Sequence, residues 1–594
     1  MSMEKSAPSG GRFQLSFGWC LAIATVVTLP ALFAGLFVDD YLHLLTIDGK
    51  LHIASPYDVF RFAGGDAKEV LPFINGGPLP WFTWANIQLH FFRPLSSLTM
   101  VIDRALFGDG YLFYHLHSTL WYVGLVAVVG VLYRRLLGPA ALVAMALYAL
   151  DEAHLIPAAW WSNRNALLAA LPAVAGLIAH IRWREDGWRW GLPLSLLGYT
   201  VGFAGAESAL GIMPYLGAYE LLGRRDAWQR RIGALLPAAL MSVVYLVWYK
   251  ASGYGVHGSG IYLDPVGEFG EFAKQAPARL LMLMANQFVT LPIEAPVVVS
   301  GIHTLLAVVC AATLALCAVP IRWAWKRSTP ETQRAMVWLL AGAALSCAPS
   351  LATFPSGRLM TIPSIGTTAV LAVVLHEAWK ARGQRMVRVF AYVLIAMHAV
   401  LPLAVWVAGP LLFGTLDARA REVIAASPLE EGDISEVTQI AINPPDPVLA
   451  MYTDIIRRYL DRPRPKSWMF LTMSPCGYRM TRTDDRTLEI EWIGGEMMTT
   501  LPEQLVRSPL HPFVPGDVVA LDAFDARILD VGEYGPTHVR YTFKEALESP
   551  KLAFYIWGSE TFEKYTLPKV GETVELKQGY GLTNLDFIMG NPPE

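Results

Sequence analysis

The residues best suited to chemistry lie early in the chain. The stretch "FVDDYLHLL" at 37–45 places two adjacent carboxylates, Asp39 and Asp40, beside Tyr41 and His43 at the end of a long apolar run. A charge inside hydrocarbon is costly, so carboxylates at such an edge mark either a solvated boundary or a functional site. In a functional site, a carboxylate next to a bound hydroxyl can accept its proton as a general base.

Further charged residues lie near the predicted ends of apolar segments. Arg93 belongs to "FFRPLSSLTMVIDRALF", an amphipathic stretch that can lie along a membrane interface as a helix. Arg164, Glu207 and Arg358 lie near the ends of later apolar segments. Opposite charges near hydrocarbon are normally paired, and a lone arginine can also extend to the interface. These residues are therefore either structural or parts of one site.

The composition indicates a polytopic α-helical membrane protein. Of the 594 residues, 54% are hydrophobic and 16% are charged, whereas soluble domains carry about 25% charged residues. The mean hydropathy is +0.38. Residues 1–414 carry 29 Lys/Arg and 22 Asp/Glu, and residues 415–594 carry 18 and 28. This asymmetry predicts a membrane part followed by an acidic soluble part, and it does not indicate nucleic-acid binding.

A membrane span needs about 20 mostly apolar residues. We take the first apolar run as an uncleaved span, because it is longer than the apolar region of a signal peptide. About eleven transmembrane helices are predicted, at 15–38, 113–133, 139–157, 163–181, 190–205, 207–222, 232–250, 299–320, 335–352, 358–378 and 389–413.

The orientation follows from the basic residues. Six short segments hold 19 of the 29 Lys/Arg of the first part, namely 1–17, 134–138, 182–189, 223–231, 321–334 and 380–388. Positive charge stays on the cytoplasmic side, so the N-terminus is predicted inside, with the loops 39–112 and 251–298 and the tail from about 415 outside.

No Asn-x-Ser/Thr sequence occurs, which favours a bacterial inner membrane.

The tail differs in character from the rest of the chain. Short β-like runs such as "EVTQIAI", "LEIEWI" and "LAFYIW" are separated by Pro, Gly and Asp turns, and 446–460 has helical spacing. We predict a transmembrane domain at 1–414 and an exported, mostly-β (α+β) domain at 415–594 that folds on its own. The five cysteines form no metal-binding or disulfide pattern.

Several stretches resemble one family of membrane enzymes. "FVDDYLHL", followed by "FRPLSSLTMVIDRALFGDGYLFYHLHSTL", resembles the start of GT-C membrane glycosyltransferases, in particular the protein O-mannosyltransferase-like enzymes. "LYALDEAHLIPAAWWSNRNALLAA", "FAGAESALGIMPYLGAYELL" and "FPSGRLMTIPSIG" resemble later family segments in the same order. The resemblance covers about residues 15–380. The tail lies outside it and lacks the tetratricopeptide repeats that some of these enzymes carry.

The match to the family is incomplete. His154, Trp160 and Arg164 agree with the family pattern. Other positions depart from the pattern: Asp151 and Glu152 stand in place of His-Pro, Ile156 in place of Glu, Ala206 in place of the Lys before Glu207, and Gly357 in place of the Glu before Arg358. These departures leave the implied fold in place and leave the donor sugar and the acceptor undetermined.

The resemblance implies transfer of a sugar from a polyprenyl-phosphate-linked donor to a hydroxyl acceptor at the outer face of the membrane. Asp39 or Asp40 would be the general base of an inverting displacement, and the two could also hold a divalent metal ion with the phosphate. Arginine suits a phosphate through paired charge-assisted bonds. The arginines that could bind the donor phosphate are Arg358 as first choice, then Arg93 and Arg164. The residues that would bind substrate or support the site are Tyr41, His43, His154 and Glu207.

The acceptor, whether protein, lipid or glycan, stays open, and so does the choice of base between the two aspartates. We expect the tail to bind or modulate the acceptor, since the family-like motifs lie upstream. The main alternative is a multi-span transporter, whose charges would line a pathway. A non-catalytic scaffold that presents the tail outside is a further alternative. Membrane lipid surrounds the protein in each case.

Overall fold

A computed structural model describes residues 15–297, 301–474, 476–577, 579–582 and 584. The chain is mostly helical and ends in a β-rich region, as the sequence predicts. The helices before the β-rich region are α1 (Phe17–Thr28), α2 (Asp39–Ile47), α3 (Ala67–Gly76), α4 (Pro94–Phe107), α5 (Tyr111–Leu136), α6 (Ala141–Leu150), α7 (Leu155–Ala159), α8 (Asn165–Asp186), α9 (Gly191–Gly205), α10 (Ile212–Ala218), α11 (Trp228–Ala251), α12 (Phe269–Asn286), α13 (His303–Trp325), α14 (Pro330–Ser346), α15 (Ser364–Lys380), α16 (Arg385–Ile395) and α17 (Leu401–Ala426).

Within the described part of the chain, six helices are long and apolar enough to cross a membrane, or seven if one bent pair counts as a span. The bent pair is Gly138–Leu150 with Glu152–Ala159, broken by 47° at Asp151. The six are Tyr111–Leu136, Trp161–Asp186, Trp228–Ala251, His303–Trp325, Pro330–Ala352 and Arg385–Ala426.

This count is lower than the eleven spans expected, because several apolar segments are short or interrupted. The predicted spans 15–38 and 190–205 correspond to the shorter apolar helices Phe17–Phe33 and Gly191–Gly205. At 207–222 the extended backbone of Ala206 ends α9, and short helical turns follow. At 358–378 the helix α15 begins only after Pro363. The break at Ala206 coincides with the boundary between the predicted spans 190–205 and 207–222, whereas hydropathy does not reveal the late start of α15.

Ion pairs join three of the Arg-rich segments at one end of the helices. Arg135, at the end of α5, donates to Glu185 at 2.9 Å. Arg184, near the end of α8, donates to Glu220 at 2.7 Å and to Asp226 at 2.6 Å. These segments were predicted to share one side of the membrane, and they do lie together.

The helix α4 presents an apolar face outward. Leu98, Ile102 and Leu106 are 43%, 40% and 69% exposed. Ser96 and Asp103 on its other face are buried. This distribution is the reverse of that in a water-exposed helix, and it suits contact with lipid, as the amphipathic pattern predicts.

Three short strands connect the two loops that were predicted to lie outside. They are β1 (Arg61–Gly64), β2 (Gln88–His90) and β3 (Gly255–His257), and they form an antiparallel sheet in the order β1-β2-β3. Residues from 39–112 and from 251–298 are therefore held against each other.

Over its described residues the tail contains two sheets and, beyond α17, two helices, which confirms the mostly-β prediction. One sheet has six antiparallel strands in the order β13-β6-β7-β10-β9-β8. The other has the order β12-β11-β4-β5, with β4 parallel to both neighbours. The elements are β4 (Thr438–Ala441), α18 (Pro447–Tyr459), β5 (Ser467–Phe470), β6 (Gly477–Arg482), β7 (Thr487–Ile493), α19 (Leu501–Val506), β8 (Val518–Ala520), β9 (Phe524–Val531), β10 (Pro536–Phe543), β11 (Leu552–Trp557), β12 (Phe562–Lys564) and β13 (Thr573–Leu576).

The helix predicted at 446–460 is present as α18. Asp446 caps it by accepting the backbone N–H groups of Val448 and Leu449 at 2.8 and 3.0 Å. Apolar residues then recur on one face, and Leu449 and Ile456 are buried in the tail. The sequence pattern and the structure agree here because capping and periodicity are local properties.

The tail shares its hydrophobic core with the first outer loop, while independent folding of the tail stays a prediction. Trp81 of that loop is 1% exposed and packs against Phe513 and Tyr541 of the tail. Its indole N–H donates to the carbonyl of Leu471 at 2.9 Å. The helix α17 also runs unbroken across the predicted boundary at 414/415.

Replacing Trp81 by alanine should therefore destabilise the tail. Loss of a buried tryptophan typically costs about 3–5 kcal/mol of unfolding free energy. Thermal unfolding of the purified full-length protein, with proteolysis of the tail as a second measurement, would show the effect. The control is Tyr57→Ala, an aromatic of the same loop that is 61% exposed. Equal stability of the two variants would contradict a shared core.

Candidate functional site

The carboxylate of Asp40 holds the start of α2 in place. It is 1% exposed and accepts the backbone N–H of Phe37 and of Ser162, both at 2.9 Å. The Ser162 hydroxyl donates to the same carboxylate. Burial raises the pKa of Asp40 to about 7. Asp40 is thus a positioning residue that fixes α2 against the turn before α8.

Asp39 points in another direction, because successive residues of a helix lie about 100° apart. It is half-buried in the wall of a cavity and accepts the hydroxyl of Tyr452 at 2.7 Å. Burial raises the pKa of Asp39, while the Tyr452 hydrogen bond and the charge of Arg358 act in the opposite direction. Val38, just before it, has φ 33°, a strained value for a β-branched residue.

The cavity has a volume of about 810 Å³ and brings together five of the predicted site residues. Its wall is formed by α2, the end of α11, the segment before α8 and the turns around Glu207 and Arg358. The predicted residues that line it are Asp39, His43, Arg93, Glu207 and Arg358.

Arg358 also lines this cavity, and among the described residues its guanidinium has no hydrogen-bond or ion-pair partner. It lies in the short helical turn Gly357–Met360. Its guanidinium carbon is 5.6 Å from the ring centres of both Trp160 and Phe354. Aromatic faces hold a cation without using its N–H donors. Those donors are therefore free to bind an anionic ligand.

Arg93 is already paired on the cavity wall. Its Nε donates to Glu207 at 3.1 Å, and its second nitrogen donates to the same carboxylate. The guanidinium also lies 4.6 Å from the ring centre of Phe91. A phosphate at Arg93 would have to compete with Glu207. We therefore interpret Arg93 and Glu207 as a supporting ion pair.

Arg164 lies outside the cavity wall. It is 1% exposed and donates to Asp103 at 2.5 Å, to the Ser118 hydroxyl at 2.8 Å and to the Tyr114 carbonyl at 2.6 Å. A buried arginine with these acceptors joins α4, α5 and α8. This geometry favours a structural role for Arg164 over the predicted contact with a phosphate.

His154 and Tyr41 also lie outside the cavity wall. His154 is fully buried, with Nδ1 3.0 Å from the carbonyl of Tyr148 and Nε2 3.1 Å from the hydroxyl of Ser364. The Tyr41 hydroxyl donates to Asp417 within α17. Tyr41 therefore ties α2 to the helix that leads into the tail.

Several buried polar atoms in residues that line the cavity have no hydrogen-bond partner within the described part of the chain. Such atoms are costly unless a ligand or water pairs with them. Burial lowers the pKa of His43 to about 3, so its ring is neutral near pH 7. The atoms are His43 Nε2, Asn163 Oδ1, Tyr245 OH, Thr353 Oγ1 and Thr361 Oγ1.

The acidic pair does not form a shared cradle for a metal ion. Asp40 is directed at Phe37 and Ser162, while Asp39 faces the cavity. No cluster of three or more His, Cys, Asp or Glu suited to a metal occurs in the described ranges.

Sequence reasoning missed Tyr452, which contacts Asp39 across 413 positions of the chain. The only local signal was the helical spacing around it. No protein-family model and no curated protein matches the chain. The resemblance to GT-C enzymes therefore rests on short motifs, and function has to be inferred from the contacts of the site.

The raised pKa of Asp40 predicts a pH-dependent effect of Asp40→Asn. Between about pH 4 and pH 7 the folded protein keeps a proton at Asp40 that the unfolded chain has released, so this group favours folding less as the pH rises. The asparagine variant should therefore be most destabilised relative to wild type near pH 5 and less so near pH 8. Melting temperatures at both pH values would measure this.

The control for that experiment is Asp461→Asn, whose side chain is 76% exposed. Its difference from wild type should stay nearly constant over the same pH range. A difference for Asp40→Asn that does not change with pH would contradict a buried carboxyl with a raised pKa.

Proposed function

We propose that the protein is a membrane glycosyltransferase that moves a sugar from a polyprenyl-phosphate-linked donor to a hydroxyl acceptor. One observation carries the proposal: a single cavity holds the carboxylate of Asp39 and the guanidinium of Arg358, whose hydrogen-bond donors are free in the described structure. A hydroxyl is a weak nucleophile that needs a base, and a departing phosphate needs a positive partner.

The step that we propose is a direct displacement. Asp39 accepts the proton of the acceptor hydroxyl while the oxygen bonds to the anomeric carbon. The bond from that carbon to the phosphate oxygen breaks, and its electron pair leaves with the lipid phosphate. Arg358 offsets the charge on the phosphate. The displacement inverts the anomeric centre, and Asp40 serves by holding α2 in position.

The unpaired polar atoms around the cavity support a sugar as the transferred group. His43, Asn163 and Thr361 contribute a ring nitrogen, an amide oxygen and a hydroxyl. A sugar carries several hydroxyl groups that can donate and accept. A sugar hydroxyl that reaches one of these buried atoms would supply its missing partner.

The orientation that we propose puts this cavity and the tail on the outer side of a bacterial inner membrane and the N-terminus in the cytoplasm. The clustered Arg-rich ends support it, because basic segments stay cytoplasmic. The helix α8 has 22 residues, about 33 Å, and separates those ends from the cavity. A transporter whose pathway is lined by charges would carry them along the length of α8. The charged residues of the cavity lie instead at the end of α8 that is opposite the Arg-rich segments.

Substitution of the two residues tests the proposal. Asp39→Asn should lower sugar transfer by roughly 10²–10⁴-fold, because the amide cannot accept the proton. Arg358→Ala should raise the KM for the donor and slow departure of the phosphate. The assay is transfer from polyprenyl-phosphate-linked hexoses by purified full-length protein.

The control is again Asp461→Asn, an exposed carboxylate paired with Lys50 at 2.6 Å. It should transfer sugar like the wild type. Wild-type turnover in Asp39→Asn would rule out this base. Absence of turnover of any such donor by the wild type would remove the proposed activity.

Tyr452→Phe should change the pH dependence of the reaction. The hydroxyl of Tyr452 lowers the pKa of Asp39, so its loss raises that pKa further. The base must be ionised, and activity therefore falls as the pH drops through the pKa of Asp39. The acidic limb of kcat/KM against pH should move to higher pH in this variant.

Tyr459→Phe is the matched control, because Tyr459 belongs to the same helix but its hydroxyl is directed at Asp109, 3.3 Å away. Its acidic limb should coincide with that of the wild type. An unshifted limb in Tyr452→Phe would show that Tyr452 does not act on the base.

A further inference from the structure

Asp39 also lines a second, smaller pocket on its other side. This pocket has a volume of about 150 Å³ and lies between the first outer loop and the tail. Asp39, Phe62, Phe91 and Tyr262 line both the pocket and the large cavity. These four residues therefore form the partition between the two spaces.

The pocket is apolar, unlike the large cavity. Apart from Asp39 and the two tyrosines, Tyr262 and Tyr452, the residues that line it have apolar side chains such as Ile53 and Leu79. Among the described residues, none of the unpaired buried polar atoms belongs to its wall. A pocket of about this volume can hold a molecule the size of benzene.

We infer that this pocket binds the apolar part of the acceptor, so that the acceptor is a hydroxyl carried on a phenyl-sized apolar group. The inference rests on the proposed glycosyl transfer. The acceptor hydroxyl has to reach Asp39, and the pocket opens onto that carboxylate. A sugar fits this pocket poorly, because each buried hydroxyl without a partner is costly. A polyprenyl chain is far longer than the pocket.

The tail supplies one wall of this pocket. Met451, Tyr452 and Ile455 come from α18, and Leu505 and Val506 come from α19. The opposite wall comes from α2 and the outer-loop sheet. The tail would thus select the acceptor, while the helical part binds the donor. Asp39 lies where the two spaces meet, so the apolar group would occupy the pocket while its hydroxyl reaches past this boundary into the large cavity, beside both Asp39 and the donor.

The first test compares benzyl alcohol with glycerol as acceptors for full-length protein supplied with polyprenyl-phosphate-linked hexoses. Benzyl alcohol should have a KM at least about tenfold lower, since burial of a phenyl group favours binding. Ala63 lines the small pocket and Ala166 lines the large cavity. Ala63→Leu should raise the KM for benzyl alcohol more than the KM for the donor. The matched variant Ala166→Leu should raise the KM for the donor more than the KM for benzyl alcohol.

A second measurement does not depend on turnover. Ala63 is 6% exposed, and Ala63→Cys places a small reactive group in the pocket wall. Its modification by a small methanethiosulfonate reagent should be slowed by benzyl alcohol and not by glycerol. The cysteine variant also covers the case in which Ala63→Leu fails to fold.

The outcomes separate the two claims. Donor turnover with equal KM values for the two alcohols would overturn the apolar acceptor site and leave glycosyl transfer standing. No turnover of any donor would overturn glycosyl transfer. The labelling experiment would then still show whether the pocket binds benzyl alcohol. Labelling that benzyl alcohol does not slow would overturn the pocket as an apolar binding site.

Discussion

The hydrogen bonds of the Asp40 carboxylate are the constraint on which the site depends. They join α2 to the turn before α8 through Phe37 and Ser162. The strained Val38 lies between Phe37 and the start of α2, so this contact closes around it. A buried carboxylate with three donors tolerates little displacement, so the adjacent residue has a fixed direction as well.

Two neighbouring carboxylates can therefore have different roles. Asp40 faces protein donors and has its hydrogen-bond capacity used there, whereas Asp39 faces open volume on both of its sides. A sequence shows two equal acids. The helical rotation of about 100° between them makes one part of the scaffold and leaves the other available for chemistry.

The sequence predicted a mostly helical chain with a β-rich tail, because apolar length and alternation are local signals. It also picked out Asp39 and Arg358, whose common feature is a charge at the edge of an apolar run. Arg164 had the same feature, yet its acceptors come from distant positions that no pattern reveals. Tyr452 could not be found at all, since its importance arises from a tertiary contact. Six or seven of the eleven predicted spans are long apolar helices in the described chain, and hydropathy did not register an interruption inside a predicted span such as the 47° bend at Asp151.

The unbroken helix α17 has a consequence for how this chain can vary. It runs from Leu401 to Ala426, and Asp417 on it is bonded to Tyr41. One residue inserted upstream of Asp417 would rotate everything beyond it by about 100° and shift it by about 1.5 Å. The angular phase of α17 thus fixes how the tail meets the rest of the molecule. Exchange of the tail between related chains would require the same helical phase at the junction, and a flexible linker could not replace it.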